Sequence, residues 1–308
     1  VILGVAIAAE ELHHLGGGLH GVLGGEQLGH MDLIQRRQAA VMNQHYQRYS
    51  LDYFLDAQQR IGFTSIELWC GAQHFWLDDQ HYDDVQSLLR KVQRRGLEVV
   101  SLTCPSFCFQ YQYAPFSPEV ADYCLSYFKK GLAVAEDLGC TVMTVNSGWG
   151  CMDRPRQESW NASCELLRQL AEEAEQRHIT LALESLRQDE TDLAYDLPTT
   201  RQLIEQVGHP SLKVMADTIA TGACGETLED WFAAFGSDLV HMHFLDGDPF
   251  VHNIWGDGNY PLEQMLRCLQ ANAYTGYLVQ EVADERYFAD PVAADLQNYR
   301  VLSRFFSD

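Results

Sequence analysis

Four short apolar runs in the second half of the chain each end in a side chain that can bind a divalent cation. Residues 180–183 run into Glu184, 212–216 into Asp217, 239–242 into His243 and 277–280 into Glu281. The gaps of 33, 26 and 38 residues between these ends each have room for one strand and one crossover helix, the length of a βαβ unit. Parallel strands in one barrel or sheet bring their C-terminal ends to a common rim, where ligands bind. Four residues far apart in sequence are therefore expected to meet at one point.

The first half of the chain extends the same alternation. Residues 39–42 read as a first strand, followed by a helix from about Ser50 in which Leu51, Phe54, Leu55 and Ile61 fall near helical spacing. Residues 65–69, 98–102 and 141–145 read as the next three strands. Helices are expected over 83–95 and from Ser117, where a Ser cap precedes Pro118 and Gly139 closes the segment. Further helices are expected over about 157–177, from near Thr199, from near Thr227, and over 291–306. Eight strand-then-helix units in about 270 residues predict an α/β fold of the (β/α)8 barrel type, as one domain over 31–308. The competing doubly wound sheet lacks its Gly-rich phosphate fingerprint after an early strand. Unit seven carries a long Gly- and Asp-rich loop at 246–260, and long loops on the C-terminal rim usually carry function. Residues 1–30, with their glycine runs, four histidines and no sustained period, are expected to form an extension outside the core.

Composition narrows the partners. With 43 acidic against 21 basic residues the net charge is −22, which argues against a nucleic-acid backbone as ligand. Nine cysteines without a CxxC pair fit reduced thiols and a cytoplasmic protein. No apolar run reaches the roughly 18 residues of a membrane span. The apolar start at residues 1–9 lacks the basic flank of a secretory signal.

Three carboxylates and one imidazole form a hard, mostly oxygen donor set. It suits Mn²⁺ foremost, with Co²⁺, Mg²⁺ and Ni²⁺ as alternatives, and leaves room for two substrate oxygens. His241 lies two residues before His243 and so points to the same strand face, deeper in the barrel, in a supporting or core role. Glu184 and Glu281 sit on different sides of the predicted mouth. A carbon acid held between them can lose a proton to one and regain it from the other, which fits epimerisation or isomerisation through an enediolate. No nucleophile elbow or catalytic-cysteine motif competes with that reading.

These residues resemble the xylose-isomerase-like TIM barrels and, within them, the ketose 3-epimerases, most nearly those acting on fructoselysine. The similarity covers about residues 38–306. It rests on residues 62–69 (GFTSIELW), on His241-Met242-His243-Phe244-Leu245-Asp246 and on Val279-Gln280-Glu281. The resemblance implies that Glu184, Asp217, His243 and Glu281 hold the metal, with Glu184 and Glu281 also the acid/base pair. It implies a substrate contact at Glu190 and assembly into dimers or tetramers. Two departures stand out: where free-sugar epimerases carry a substrate-binding His and an Arg, this chain has Ala220 and Pro249. Both favour a substituted ketose such as a ketosamine over a plain hexulose. In the altered loop Asp257 takes the acidic position and is a candidate substrate contact, and His252 and Trp255 are candidates to shape the pocket. Trp69 and Trp149, with Phe75, Trp76, Phe107, Phe109, Tyr111 and Tyr113, are expected to form a stacking wall for a sugar or alkyl substituent. Arg154, Arg156 and Arg187 read as isolated loop cations. The same metal site would also serve an aldose–ketose isomerase or an inosose-type dehydratase.

Overall fold

Runs such as Ile66–Leu68 or Leu181–Leu183 are buried on both faces, which in a parallel sheet requires helices outside and a filled lumen inside. The computed structural model describes residues 31–106, 110–248 and 250–307. Within them β1 (Ala39–Met42), β2 (Ser65–Trp69), β3 (Glu98–Thr103), β4 (Val142–Asn146), β5 (Thr180–Glu184), β6 (Leu212–Asp217), β7 (Leu239–His243) and β8 (Leu278–Gln280) form a closed barrel of eight strands in sequence order. Closure is made by β8 pairing in parallel with β1, Ala39 opposite Leu278 and Val41 opposite Gln280. The outer helices are α1 (Leu51–Ile61), α2 (Val85–Gln93), α3 (Pro118–Leu138), α4 (Arg156–Gln176), α5 (Leu197–Val207), α6 (Thr218–Ala223), α7 (Leu228–Phe235), α8 (Leu262–Ala271) and α9 (Pro291–Leu302).

Local chemistry sets the helix boundaries. The Ser117 side chain accepts from Val120 N ahead of Pro118, and Gly139 ends α3 at φ 77°, a left-handed value that glycine adopts without strain. Asp196 and Thr227 open α5 and α7 with reciprocal capping boxes. Between barrel and helices, Phe54, Phe128, Leu132, Trp160, Leu167 and Trp231 are almost wholly buried in one continuous core. Each such side chain contributes about 1.5–3 kcal/mol relative to an exposed one.

Three features differ from the sequence expectation. The short α6 starts directly at the end of β6, because Asp217 caps it through one carboxylate oxygen. The predicted last helix breaks at Leu302 into a 3-10 turn, after which Phe306–Ser307 pairs in parallel with Ile34–Gln35, tying the two ends of the domain together. The fourth strand starts at Val142 and reaches Asn146 at the rim. The expected extension over 1–30, together with Phe107, Phe109 and Pro249, lies outside the described residues. Among the described residues no helix is long and apolar enough to cross a membrane, and the cysteines are free thiols.

Candidate metal centre

Alternation on β7 aims His241 and His243 into the lumen while Met242 faces the helices. Both imidazoles meet Glu67 of β2 across the barrel: His241 Nε2 lies 2.7 Å from one carboxylate oxygen and His243 Nε2 2.9 Å from the other. Thr103 and Ser101 of β3 donate to the same carboxylate. Glu67 is wholly buried; burial alone would raise its pKa, but His243 and His241 outweigh it and hold the carboxyl well below its usual range. An ionised carboxylate only accepts hydrogen bonds, so Nε2 of His243 carries a proton and donates it.

That fixed tautomer turns Nδ1 of His243 toward the rim. Glu184 Oε1 lies 2.8 Å away, Glu281 Oε2 2.9 Å and Asp217 Oδ2 3.8 Å. Nδ1 is thus within ion-pair range of Glu184 and Glu281, while none of these approaches has hydrogen-bond geometry. Ligand atoms from Glu184, Asp217, His243 and Glu281 all fall within 4.8 Å of one another. A buried imidazole nitrogen crowded by three carboxylates is a donor set that could hold a divalent cation. Asp217 divides its oxygens between two tasks. Oδ1 accepts from Ile219 N and Ala220 N at the start of α6, and Oδ2 faces the cluster.

Titration behaviour follows from this crowding. Burial, reinforced by Glu281 and Asp217, pushes Glu184 up to about 7 against the pull of His243. Burial would lower His243, but Glu281, Glu184 and Glu67 drive it well above the ordinary imidazole value. Burial would raise Asp217, yet His252 and His243 keep it below its usual range. Protons on Glu184 and His243 therefore compete with a cation for the same ligand atoms.

Above the cluster opens a cavity of about 460 Å³, within the size range of small-molecule sites. Glu184, Asp217 and Glu281 form its floor, and Trp69, Asn146, Arg187, Glu190, Ala220 and His252 are among its walls. Trp69 is held at the end of β2 by Asn43, which pairs with both its N–H and its carbonyl. Glu190 accepts from the Arg187 backbone N–H at 2.9 Å and from its guanidinium at 3.2 Å. The guanidinium also donates to the Phe250 carbonyl at 3.0 Å, joining the loop after β5 to the loop after β7.

Other sequence candidates sit elsewhere. Asp257 is exposed and accepts from Tyr287 Oη and Gln297 Nε2, so it fastens its loop to α9 and is not part of the cavity lining. Trp149 is half-buried and also outside the lining. Trp255 is buried with its indole N–H on the Phe244 carbonyl, and Phe75 and Tyr113 are core residues. Arg154 and Arg156 bind backbone carbonyls of neighbouring loops. Sequence reasoning gave no role to Glu67, although an acid inside an otherwise apolar strand was a visible signal. It also read Arg187 as a loop cation. His252, put forward only as a pocket-shaping residue, reaches from the 246–260 loop to within 3.0 Å of Asp217 Oδ2 and 3.8 Å of Glu281 Oε2. It enters the same cavity that Ala220, with its small side chain, leaves open.

A sequential parallel barrel whose C-terminal rim gathers three carboxylates and an imidazole defines a TIM-barrel protein with a cluster that could hold a metal ion. The family model described as xylose isomerase-like TIM barrel matches residues 55–304, and the chain belongs to that family. Among curated relatives, the fructoselysine 3-epimerases of Escherichia coli O157:H7 and Shigella flexneri are each 22% identical over 239 residues, covering 77% of this chain and 87% of theirs. Among solved structures, the E. coli 3-keto-D-glucoside 4-epimerase superposes with a TM-score of 0.71 at 17% identity, covering 87% of this chain and 98% of that one. An L-ribulose 3-epimerase gives 0.71 at 19% identity, covering 86% and 92%. These structural matches show the fold.

Proposed function

We propose that the chain is a metal-dependent epimerase that interconverts the C3 epimers of a ketose or ketosamine, fructoselysine and psicoselysine being the specific pair. The observation that carries this reading is that Glu184 at the end of β5 and Glu281 directly after β8 both converge on His243 Nδ1 in the wall of one cavity. The names of the curated relatives support it. Glu184, Asp217, His243 and Glu281 would hold the ion, Mn²⁺ foremost. When bound, a divalent cation neutralises the charge that develops on the C2 and C3 oxygens as the C3 proton leaves.

The chain's own groups do the rest. One glutamate removes the C3 proton and the other returns a proton from the opposite face, inverting the centre without net redox change. Glu190 and His252 line the path of the substrate hydroxyls, and Trp69 offers its indole face to the substrate. Glu67 keeps His243 in one tautomer and one orientation. The test is turnover of Mn²⁺-loaded enzyme on fructoselysine, with products followed by nuclear magnetic resonance and ultraviolet absorbance. Epimers without an absorbing product are expected, and Glu184→Gln and Glu281→Gln should each lower kcat by roughly 10² to 10⁴. An absorbing enone or dione would mean dehydration instead.

A further inference from the structure

Beside the metal cavity lies a second one of about 200 Å³, and the two share Trp69, Ala72 and Pro105 in their walls. The annexe is completed by Trp76, Leu77, Asp78 and Tyr111 among others. Its aromatic faces are held in place. The Trp69 indole lies so flat against Gly71 that a Cβ there would come within 1.8 Å of the ring. Trp76 is 44% exposed, yet its indole N–H donates to Asp78 Oδ2 at 2.7 Å and its backbone N–H to Asp83 Oδ2 at 2.8 Å. Tyr111 stacks on Tyr127 with centroids 4.1 Å apart and donates its hydroxyl to Asp79. A large exposed indole fixed by two acids, and opening toward a polar cavity, is a surface shaped for a ligand rather than for the core.

The one charged side chain in the lining is acidic, and the imidazole of His81, 3.1 Å from Asp78 Oδ1, stands outside that lining. Asp78 lines it, and no lysine, arginine or histidine does among the described residues. Backbone N–H groups of His81 and Gln80 and the Trp76 indole stabilise the Asp78 carboxylate. Fixed aromatic faces next to an anion attract a CH-rich chain bearing positive charge and reject an anionic one.

Resting on the epimerase reading for what occupies the metal cavity, we propose that this annexe is the subsite for the substituent of a substituted ketose. The substituent it takes is an alkylamine-type chain, CH-rich and without net negative charge, a condition that the lysine of fructoselysine meets because its ammonium offsets its carboxylate.

The probes are D-fructose, N-butyl-fructosamine and its aminobutyl and carboxybutyl counterparts, titrated calorimetrically into Mn²⁺-loaded full-length protein. The butyl and aminobutyl compounds should bind at least roughly tenfold more tightly than D-fructose, as the burial of a few methylenes implies, and the carboxybutyl compound should lose that advantage. Trp76→Ala, and separately Gly71→Ala, which displaces the Trp69 indole, should bring the ratio of butyl to D-fructose affinity close to one. Equal affinity of the wild-type protein for all four compounds would overturn the proposal. So would tightest binding of the carboxybutyl compound, or an advantage that survives both substitutions. If the pattern holds while no ketosamine exchanges its C3 proton, the annexe stands and the epimerase reading falls.

Discussion

Glu67 shows how much of this site depends on a side chain that touches neither the proposed ion nor the substrate cavity. Its two oxygens each take one histidine, and only with Nε2 of His243 so engaged does Nδ1 face the three carboxylates. Glu67→Gln is therefore expected to weaken Mn²⁺ binding by roughly 10–100-fold, measured by titration calorimetry. A second expectation concerns protons. In the ion-free protein Glu184 is raised to about 7, so below that pH it is protonated and must release a proton before it can ligate. Apparent Mn²⁺ affinity should thus fall as pH drops through about 7, and the number of protons released per ion should rise. Calorimetry in buffers of differing ionisation enthalpy reads both; pH-independent affinity between pH 6 and 8 would contradict the assigned ligand. The four strand-end residues were legible in the sequence because strand length and βα spacing place them without side-chain detail. Glu67 and Arg187 were not, and of His252 only its place at the pocket was, because what each one touches depends on cross-barrel distances and on the path of a loop that no local pattern encodes.

At the next scale, the 246–260 loop between β7 and α8 forms part of the cavity wall through His252. Asp246 organises it: its carboxylate accepts from the backbone N–H groups of Gly256, Gly258 and Tyr260. Gly258 permits the close approach, since a Cβ there would lie 2.5 Å from Asp246 Oδ1. The loop is also fastened to α9, where Asn298 Oδ1 accepts from Trp255 N and Gln297 donates to Asp257. His252 is thereby delivered to the rim. Asp246→Ala removes the acceptor of several N–H groups at once and should cost at least about 2 kcal/mol of stability, seen as a lower Tm. It should also raise KM more than it lowers kcat, because the loop shapes the cavity wall while the two glutamates are held at the ends of β5 and β8. Asp257 was read from sequence as a substrate contact on position alone. The structure turns its carboxylate outward to α9, an orientation that sequence spacing does not fix.

At the scale of the whole molecule, the barrel order followed from the alternation of apolar runs and helix caps. What escaped the sequence were short features fixed by tertiary contact, such as α6 and the pairing of Ile34–Gln35 with Phe306–Ser307. The barrel also concentrates like charge: Glu184, Asp217 and Glu281 meet at a rim with little solvent, in a chain of net charge −22. A bound divalent ion offsets that repulsion and binds only the folded state. Saturating Mn²⁺, at about 100 times Kd, should therefore stabilise the protein by about 2.7 kcal/mol and raise Tm by several degrees, an effect lost in Asp217→Asn. The central claim is that Glu184 and Glu281 exchange a proton at C3 of a ketose or ketosamine. Incubating the Mn²⁺-loaded enzyme with fructoselysine and a panel of ketoses in D₂O tests it most directly. Deuterium at C3 of both recovered substrate and epimer is predicted, whereas C3 remaining protiated in every compound, with the metal site loaded, would contradict it.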